Sequence, residues 1–310
     1  MDVDLRIGLH KLEVFSRVVQ LGGVGLAAEE LFVTQPVVSA HLRSLERRLG
    51  VELFARDGGR HRVLTPAGEA VYSWAEEVLS RTRDCERALR ALESGERGVV
   101  QVGASLFVGS YVLPTMLSAY HDEHPDVNVR LSVSRTAQAM LDTRSATLDF
   151  AVVSGREAGA TATATPLWSE PVLLVAGPGF LTSVASVTRD DIAALPLVGA
   201  DFADWLDAGH LRSTGLDHAR PQLEVGHPEA AKRAVRDGAG VTLLPHAAVA
   251  AELESGALRE IAVAGKPLAQ TVFLIRREGA TLSPAARRIS EAISDAAGME
   301  HDAMTVPEAA

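Results

Sequence analysis

The chain has one cysteine in 310 residues, Cys85, which excludes an intramolecular disulfide and any cluster of thiolate metal ligands. It has no apolar run close to the roughly 20 residues needed to span a bilayer, so no membrane partner is expected. The N-terminus, MDVDLRIGLHKLEVF, is acidic and then amphipathic. It lacks the basic-then-apolar order of an export signal, and a cytoplasmic location is expected. Nucleophile elbow, P-loop and dinucleotide fingerprint are all missing; GVGLAAEE holds only a stray Gly-x-Gly with no strand before it. No catalytic residue and no cofactor are therefore assigned. The ten histidines are scattered, and the closest pair, His121 and His124 in YHDEHPDV, has no third ligand at sensible spacing. No metal site is assigned either.

Positive charge is scarce overall, with a formal net charge of −10, which read globally argues against a nucleic-acid partner. Read by region it does not. Residues 1–65 carry 9 Lys/Arg against 8 Asp/Glu, whereas residues 96–310 carry 17 against 26. Between Arg43 and Arg62 there are six arginines and three acids, a local basic patch of the kind phosphate contact requires.

What is present is organised around residues 34–50, TQPVVSAHLRSLERRLG. Thr34 is suited to an N-cap, Pro36 to the first turn, and Gly50 to a left-handed stop. Val37, Val38, Leu42, Leu45 and Leu49 follow at helical spacing as an apolar stripe. Gln35, Ser39, Ala40, Arg43 and Arg47 form the opposite face, whose groups suit base edges and phosphates. Taken alone this could be any solvated amphipathic helix. Its neighbours decide otherwise. A helix over 8–21 and a short one over 25–32 precede it by a tight turn, giving a helix-turn-helix. Short apolar pieces, Val51–Phe54 and Val63–Leu64, flank Asp57-Gly58-Gly59 and predict a β-hairpin wing carrying Arg56, Arg60 and Arg62.

Pro66 opens a long helix to about residue 93. Val71, Ala75, Val78, Thr82, Cys85, Leu89 and Leu92 alternate in steps of four and three, a seam for a second helix. Packing on its own domain is the alternative, and Cys85 reads as a small apolar filler. ESGERG at 93–98 is a hinge. Beyond it strands alternate with helices. Strands are expected at 99–104, 127–133, 149–153, 172–176, 196–199, 223–225, 241–244 and 272–275. Helices are expected near 110–122, 136–146, 201–214, 227–237 and 284–297. The pattern is that of an α/β domain with a largely parallel sheet. The divisions are 1–65, 66–95, 96–300 and a disordered tail at 301–310.

The stretches LEVFSRVVQLGG, LAAEELFVTQPVVSAHLRSLERRLGVELFAR and LTPAGEAV together resemble the LysR-type transcriptional regulators. Looser landmarks extend the resemblance over the whole chain: LP at 113–114, Pro125, LDFAVV at 148–153, LPLV at 195–198 and DGAGVTLLP at 237–245. The resemblance implies a winged helix-turn-helix and a dimerising linker helix. After them it implies a two-subdomain α/β effector domain like the periplasmic binding proteins. It implies double-stranded DNA, a small-molecule effector and further copies of the chain, as dimer or tetramer, as partners; RNA polymerase is a further candidate. GASLFVGSYVLP and VSRTAQAM are similar to a subgroup that includes regulators of sulfur, nitrogen and carbon assimilation. Two departures stand out. Gly23 and Gly25 replace a Ser and a Thr that the family often carries before the second helix, so Gly25 cannot supply a side-chain cap. Ala40 replaces a longer polar residue, and readout there should be apolar or absent.

Gln35 and Ser39 are assigned to base edges and Pro36 to an apolar contact. Thr34, Arg43, Arg56, Arg60 and Arg62 are assigned to phosphates; a solvated surface charge is the alternative for each arginine. Ligands of open α/β sheets bind at strand C-terminal ends. The effector candidates are accordingly Ser105, Phe107, Ser110, Arg135, Thr136, Phe202, His227 and Thr242. Arg135 would pair an anionic group while Phe107 or Phe202 covers an apolar portion. The alternative is Arg135 in solvent and Phe107 in the core. Two other classes stay open: a solute-binding protein, which the C-terminal two-thirds resemble, and an α/β enzyme using His227 and several Asp residues.

Overall fold

The computed structural model describes residues 6–55, 63–94, 99–155, 162–180, 182, 186–192, 194–199, 221–265, 267–280 and 282–304. The chain divides into two bodies, one ending at Glu93 and one beginning at Ser94.

The first body is helical. α1 (Leu9–Gln20), α2 (Val24–Glu30) and α3 (Gln35–Leu49) enclose Leu12, Phe15, Val18, Ala27, Ala28, Val38, Leu42, Leu45 and Leu49. These positions recur every three or four residues, so each helix buries one stripe. Val37 does not join that stripe; it is 42% exposed. Gly50 ends α3 at φ 69°, its N–H donating to the Glu46 carbonyl. The Glu46 carboxylate then accepts from the Leu53 N–H at 3.0 Å, tying the chain beyond the turn back to the helix. Phe54 and Leu64 form an antiparallel bridge, the stem of the expected wing. The wing tip, with Arg56, Asp57-Gly58-Gly59, Arg60 and Arg62, lies outside the described residues.

α4 (Pro66–Ser94) starts where the Thr65 hydroxyl accepts from the Gly68 N–H at 2.9 Å. Its first half serves its own domain: Ala75 and Leu79 are buried in the three-helix core, with Val71 and Val78 packed against it. Its second half differs, leaving Cys85 exposed and Leu89 55% exposed. The seam read from the sequence is thus two surfaces, one buried within the domain and one exposed on the described chain.

Among the described residues the second body has three buried apolar clusters, two of them meeting at one strand of the first lobe and one in the second lobe. In the first lobe β1 (Val99–Ser105) pairs in parallel with β2 (Asn128–Ser134) and β3 (Phe150–Ser154). A π-helical turn (Val108–Val112), α5 (Leu113–Glu123) and α6 (Thr136–Arg144) provide the connections. β3 is buried throughout, with Phe150 and Val152 in one cluster and Ala151 and Val153 in another, as a strand covered on both faces must be. β4 (Ala162–Ala176) then runs fifteen residues. After it come the small elements β5 (Ser186–Val187), α7 (Arg189–Ile192), β6 (Val198–Gly199) and β7 (Leu223–Glu224). These are followed by α8 (Pro228–Arg236), β8 (Val241–Pro245), α9 (His246–Glu254), β9 (Arg259–Val263), β10 (Ala269–Arg277) and α10 (Pro284–Met304).

The sheet is mixed, not largely parallel. β10 lies antiparallel to both β3 and β4, and β4 lies antiparallel to β8 and β9. β4 joins the lobes. Up to Pro171 it pairs with β10; from Val172 it pairs with β8, in the second lobe. Its length was hidden by Pro166 and Pro171, which cannot donate to a ladder. The strand accommodates them with a bulge at Leu167, between the Trp168–Val272 and Pro166–Phe273 pairs, and with the change of partner at Pro171. Helix α9 was also unanticipated, its AAVAAELE run carrying no cap signal. The helix expected at 201–214 lies outside the described residues. α10 continues to Met304, so the stretch expected to be disordered from 301 is helical for its first four residues.

Candidate DNA-reading face and effector cleft

α3 places the predicted DNA contacts on its outward side. Thr34, Gln35, Pro36, Ala40 and Arg43 are exposed and Ser39 is half-buried, while Arg47 extends the same face. Thr34 takes the N-cap position with extended backbone (φ −87°, ψ 150°), but its hydroxyl makes no capping bond. It therefore stands at the positive end of the helix, where a phosphate is favoured. Capping of α2 falls to Gly23, not Gly25. Gly25 sits inside the helix, where a Cβ would lie 3.2 Å from the Gln35 amide nitrogen. The missing side chain gives Gln35 its room. Arg48, opposite, donates to the Arg6 carbonyl and serves the fold.

In the second body the strand ends converge on hydroxyls. Ser105 Oγ accepts from the Ser154 N–H at 3.1 Å and lies 3.2 Å from Ser154 Oγ. Thr136, opening α6, donates to the Ser154 carbonyl at 3.2 Å. Ser154 ends β3, and the strand-end rule that selected Ser105 and Thr136 would have found it. Arg135 and Ser110 are exposed beside these ends. Phe107 is a correction: at 1% exposure it belongs to the first-lobe core, because the π-helical turn folds it under Tyr111, ring centroids 6.2 Å apart. Thr242 is fully buried within β8, its hydroxyl without a hydrogen-bond partner. His227 caps α8, its Nδ1 accepting from the Glu229 N–H at 3.2 Å, so its first duty is to the fold. Phe202 lies outside the described residues.

The residue pattern gave no sign of a polar bridge between the lobes. Tyr111, from the first lobe, donates to Glu229 at 2.6 Å on α8 of the second. The same carboxylate oxygen lies 2.6 Å from Lys232 Nζ, which also donates to Glu252 at 2.8 Å and sits 5.1 Å from the Tyr111 ring centroid. Burial and the neighbouring Glu229 carboxylate push the Tyr111 phenol far above its ordinary pKa. Partial burial works against ionisation of Glu229, but hydrogen bonds from Lys232 and Tyr111 hold its carboxyl below the usual value. On β4, the strand that joins the lobes, Glu170 accepts from Trp168 Nε1 at 3.2 Å and from the Ala247 N–H at 2.9 Å. Gln270, paired with Glu170 across the ladder and 2% exposed, has neither amide atom hydrogen-bonded. An open groove of about 650 Å³ lies elsewhere, along α5 and the edge strand β2. Among the described residues no group of three His, Cys, Asp or Glu is placed to hold a metal ion, and no helix is long and apolar enough to cross a membrane.

Residues 9–69 match the bacterial regulatory helix-turn-helix proteins of the lysR family, and residues 93–298 match the LysR substrate binding domain. The chain is 30% identical over 299 residues to a probable RuBisCO transcriptional regulator of Nostoc sp., covering 94% of this chain and 88% of that one. It is 32% identical over 295 residues to the uncharacterized HTH-type transcriptional regulator YeiE of Escherichia coli, covering 92% and 96%. A full-length OxyR variant of Pseudomonas aeruginosa shares the fold at a TM-score of 0.59 and 22% identity, over 95% of each chain. The chain belongs to the LysR family of DNA-binding transcriptional regulators, with the family's substrate-binding domain, a class of regulators and not of enzymes.

Proposed function

We propose that this regulator reads a specific operator through Gln35 and Ser39, with Pro36 in apolar contact. Thr34, Arg43, Arg56, Arg60 and Arg62 hold the phosphates, and a small organic anion binds between the lobes to control the response. The observation that carries the effector reading is the gathering of Ser105, Ser154 and Thr136 at the ends of β1 and β3, beside exposed Arg135 and Ser110. Hydroxyls and a guanidinium at strand C-terminal ends suit a carboxylate. With Phe107 in the core, the apolar cover falls to Phe202, and His227 acts through the cap it gives α8. Thr242 and Gln270 supply buried hydrogen-bonding groups. The exposed half of α4, with Leu89 and Cys85, serves pairing with a second copy, and RNA polymerase is a further partner of the DNA-bound form. The resemblance to regulators of carbon assimilation points to an acid of central metabolism as the effector class. The protein acts in the cytoplasm.

Two experiments test this. Calorimetry with a panel of organic acids is expected to find an acid whose affinity falls roughly tenfold or more in Arg135→Ala, the loss of a charge-assisted pair. Equal binding to both proteins excludes Arg135 as the anchor. On the DNA side, Gln35→Ala and Ser39→Ala are expected to lose about 1–3 kcal/mol of discrimination at single base pairs, with non-specific affinity nearly unchanged. Binding preferences measured on a randomised duplex library check this. An unaltered preference in Gln35→Ala removes that residue from base readout.

A further inference from the structure

α2 ends in an unusual way. Leu31 is the last right-handed residue, and Phe32 follows at φ 55°. The Phe32 N–H donates to the Glu29 carbonyl at 3.2 Å and the Val33 N–H to the Ala28 carbonyl at 3.0 Å. This pair of bonds closes a helix through a left-handed residue, where glycine is the favoured occupant because a Cβ crowds the backbone. A phenylalanine there is under strain. Nothing inside the body compensates for it: the ring is 96% exposed and joins none of the apolar clusters or ring contacts among the described residues. Backbone strain of this kind clusters at functional sites, where a contact with a ligand can offset it.

The partner follows from position. Phe32 lies two residues before Thr34, at the end of the recognition helix that faces the groove. Val33 and Val37 are 39% and 42% exposed, and Val37 is on the first turn of α3. All three are exposed apolar residues in the short stretch that also holds Gln35 and Pro36. In the major groove the apolar feature is the thymine methyl. We propose that Phe32 is an apolar DNA-contact residue which, with Val37, packs against thymine methyl groups at the rim of the groove that α3 enters. The proposal rests on α3 as the DNA-reading helix.

The test uses the full chain and a duplex selected by the wild-type protein from a randomised library. Phe32→Gly relieves the backbone strain, so its thermal midpoint is expected to equal or exceed that of wild type. Its affinity for the selected duplex is expected to fall roughly five- to tenfold, while Phe32→Tyr stays within about twofold of wild type. Replacing each thymine in turn by deoxyuridine removes single methyl groups. At one or more positions wild type is expected to weaken and Phe32→Gly to be indifferent. Unchanged affinity in Phe32→Gly overturns the proposal. So does weaker binding accompanied by a lowered midpoint, which makes the ring structural, or thymine sensitivity identical to wild type at every position. Gln35→Ala on the same duplex separates the two readings. If it binds like wild type while Phe32→Gly is weakened, Gln35 leaves the base-reading set and the Phe32 contact stands. If wild type selects no duplex, both fall.

Discussion

Gly68→Ala is expected to destabilise the N-terminal domain by about 3 kcal/mol, at the upper end of what overpacking costs. A Cβ on Gly68 would stand far inside van der Waals distance of the Leu53 carbonyl oxygen and 3.0 Å from a Leu64 methyl. A flexible side chain could swing away from such a contact; a backbone oxygen cannot. Either α4 lifts from the wing stem or the stem shifts. The first choice also strains the Thr65 hydroxyl bond to the Gly68 N–H. The second moves Leu53 and Phe54, which are buried in the helical core and lead directly into Arg56. Non-specific DNA affinity is expected to fall together with stability, since the stem and α3 no longer keep their packing. For a domain of this size, about 3 kcal/mol corresponds to a fall in melting temperature of roughly 12–24 °C. Scanning calorimetry and a binding isotherm on an arbitrary duplex check both effects. A melting temperature within about 2 °C of wild type would falsify the close approach of α4 to the stem.

Lys232→Met is expected to cost about 2 kcal/mol in the effector domain. Its ammonium, with a side-chain exposure of 8%, is shared by Glu229 and Glu252. Removing one partner from a buried ion pair strands the other, and fully buried cases cost about 3–5 kcal/mol. Here the carboxylates are 44% and 28% exposed, so water recovers part of the loss. Adding Glu252→Gln to Lys232→Met should restore part of the stability, because it removes a stranded charge. If the double variant is as unstable as the two single losses added together, the residues are not coupled. The pH dependence has a definite sign. Glu229 is held below its ordinary value of 4.5, so its contribution is present above that pH and is lost as pH falls through the folded-state value. Wild type should lose this share of stability on acidification below 4.5, and Lys232→Met should show a flatter acid limb. Denaturant midpoints measured across that range decide the matter. An acid limb of equal slope in both proteins would remove Lys232 as the cause of the shift.

The first body was largely legible because its information is local. Helix spacing, Thr34, Pro36 and Gly50, and the Thr65–Pro66–Gly68 start of α4 act over three or four residues, the range over which a sequence pattern carries a physical meaning. Even here two readings failed for reasons of packing. Val37 has helical spacing with Val38 but faces outward, and the stop after α2 is made by Phe32, a residue that no pattern marks as left-handed. In the second body the elements were legible and their pairing was not. β4 was cut short because Pro166 and Pro171 are breakers in any local reading, and only the Leu167 bulge and the change from β10 to β8 reconcile them with a strand. Antiparallel pairing of β10 with β3 and β4 joins residues about a hundred positions apart, beyond the reach of periodicity.

The same division holds for the site. The sequence by itself determined which helix carries the candidate DNA-reading face, where the basic charge is concentrated in an acidic chain, and that hydroxyls end the strands of an α/β domain. Each follows from residue type and short spacing. Tertiary structure alone decided that Phe107 is core while Tyr111 spans the lobes, and that Lys232 is buried between two glutamates. It also decided that Ser154 joins Ser105 and Thr136. Those outcomes depend on which distant surfaces meet, since burial and charge pairing are properties of a neighbourhood and a chain carries only an order.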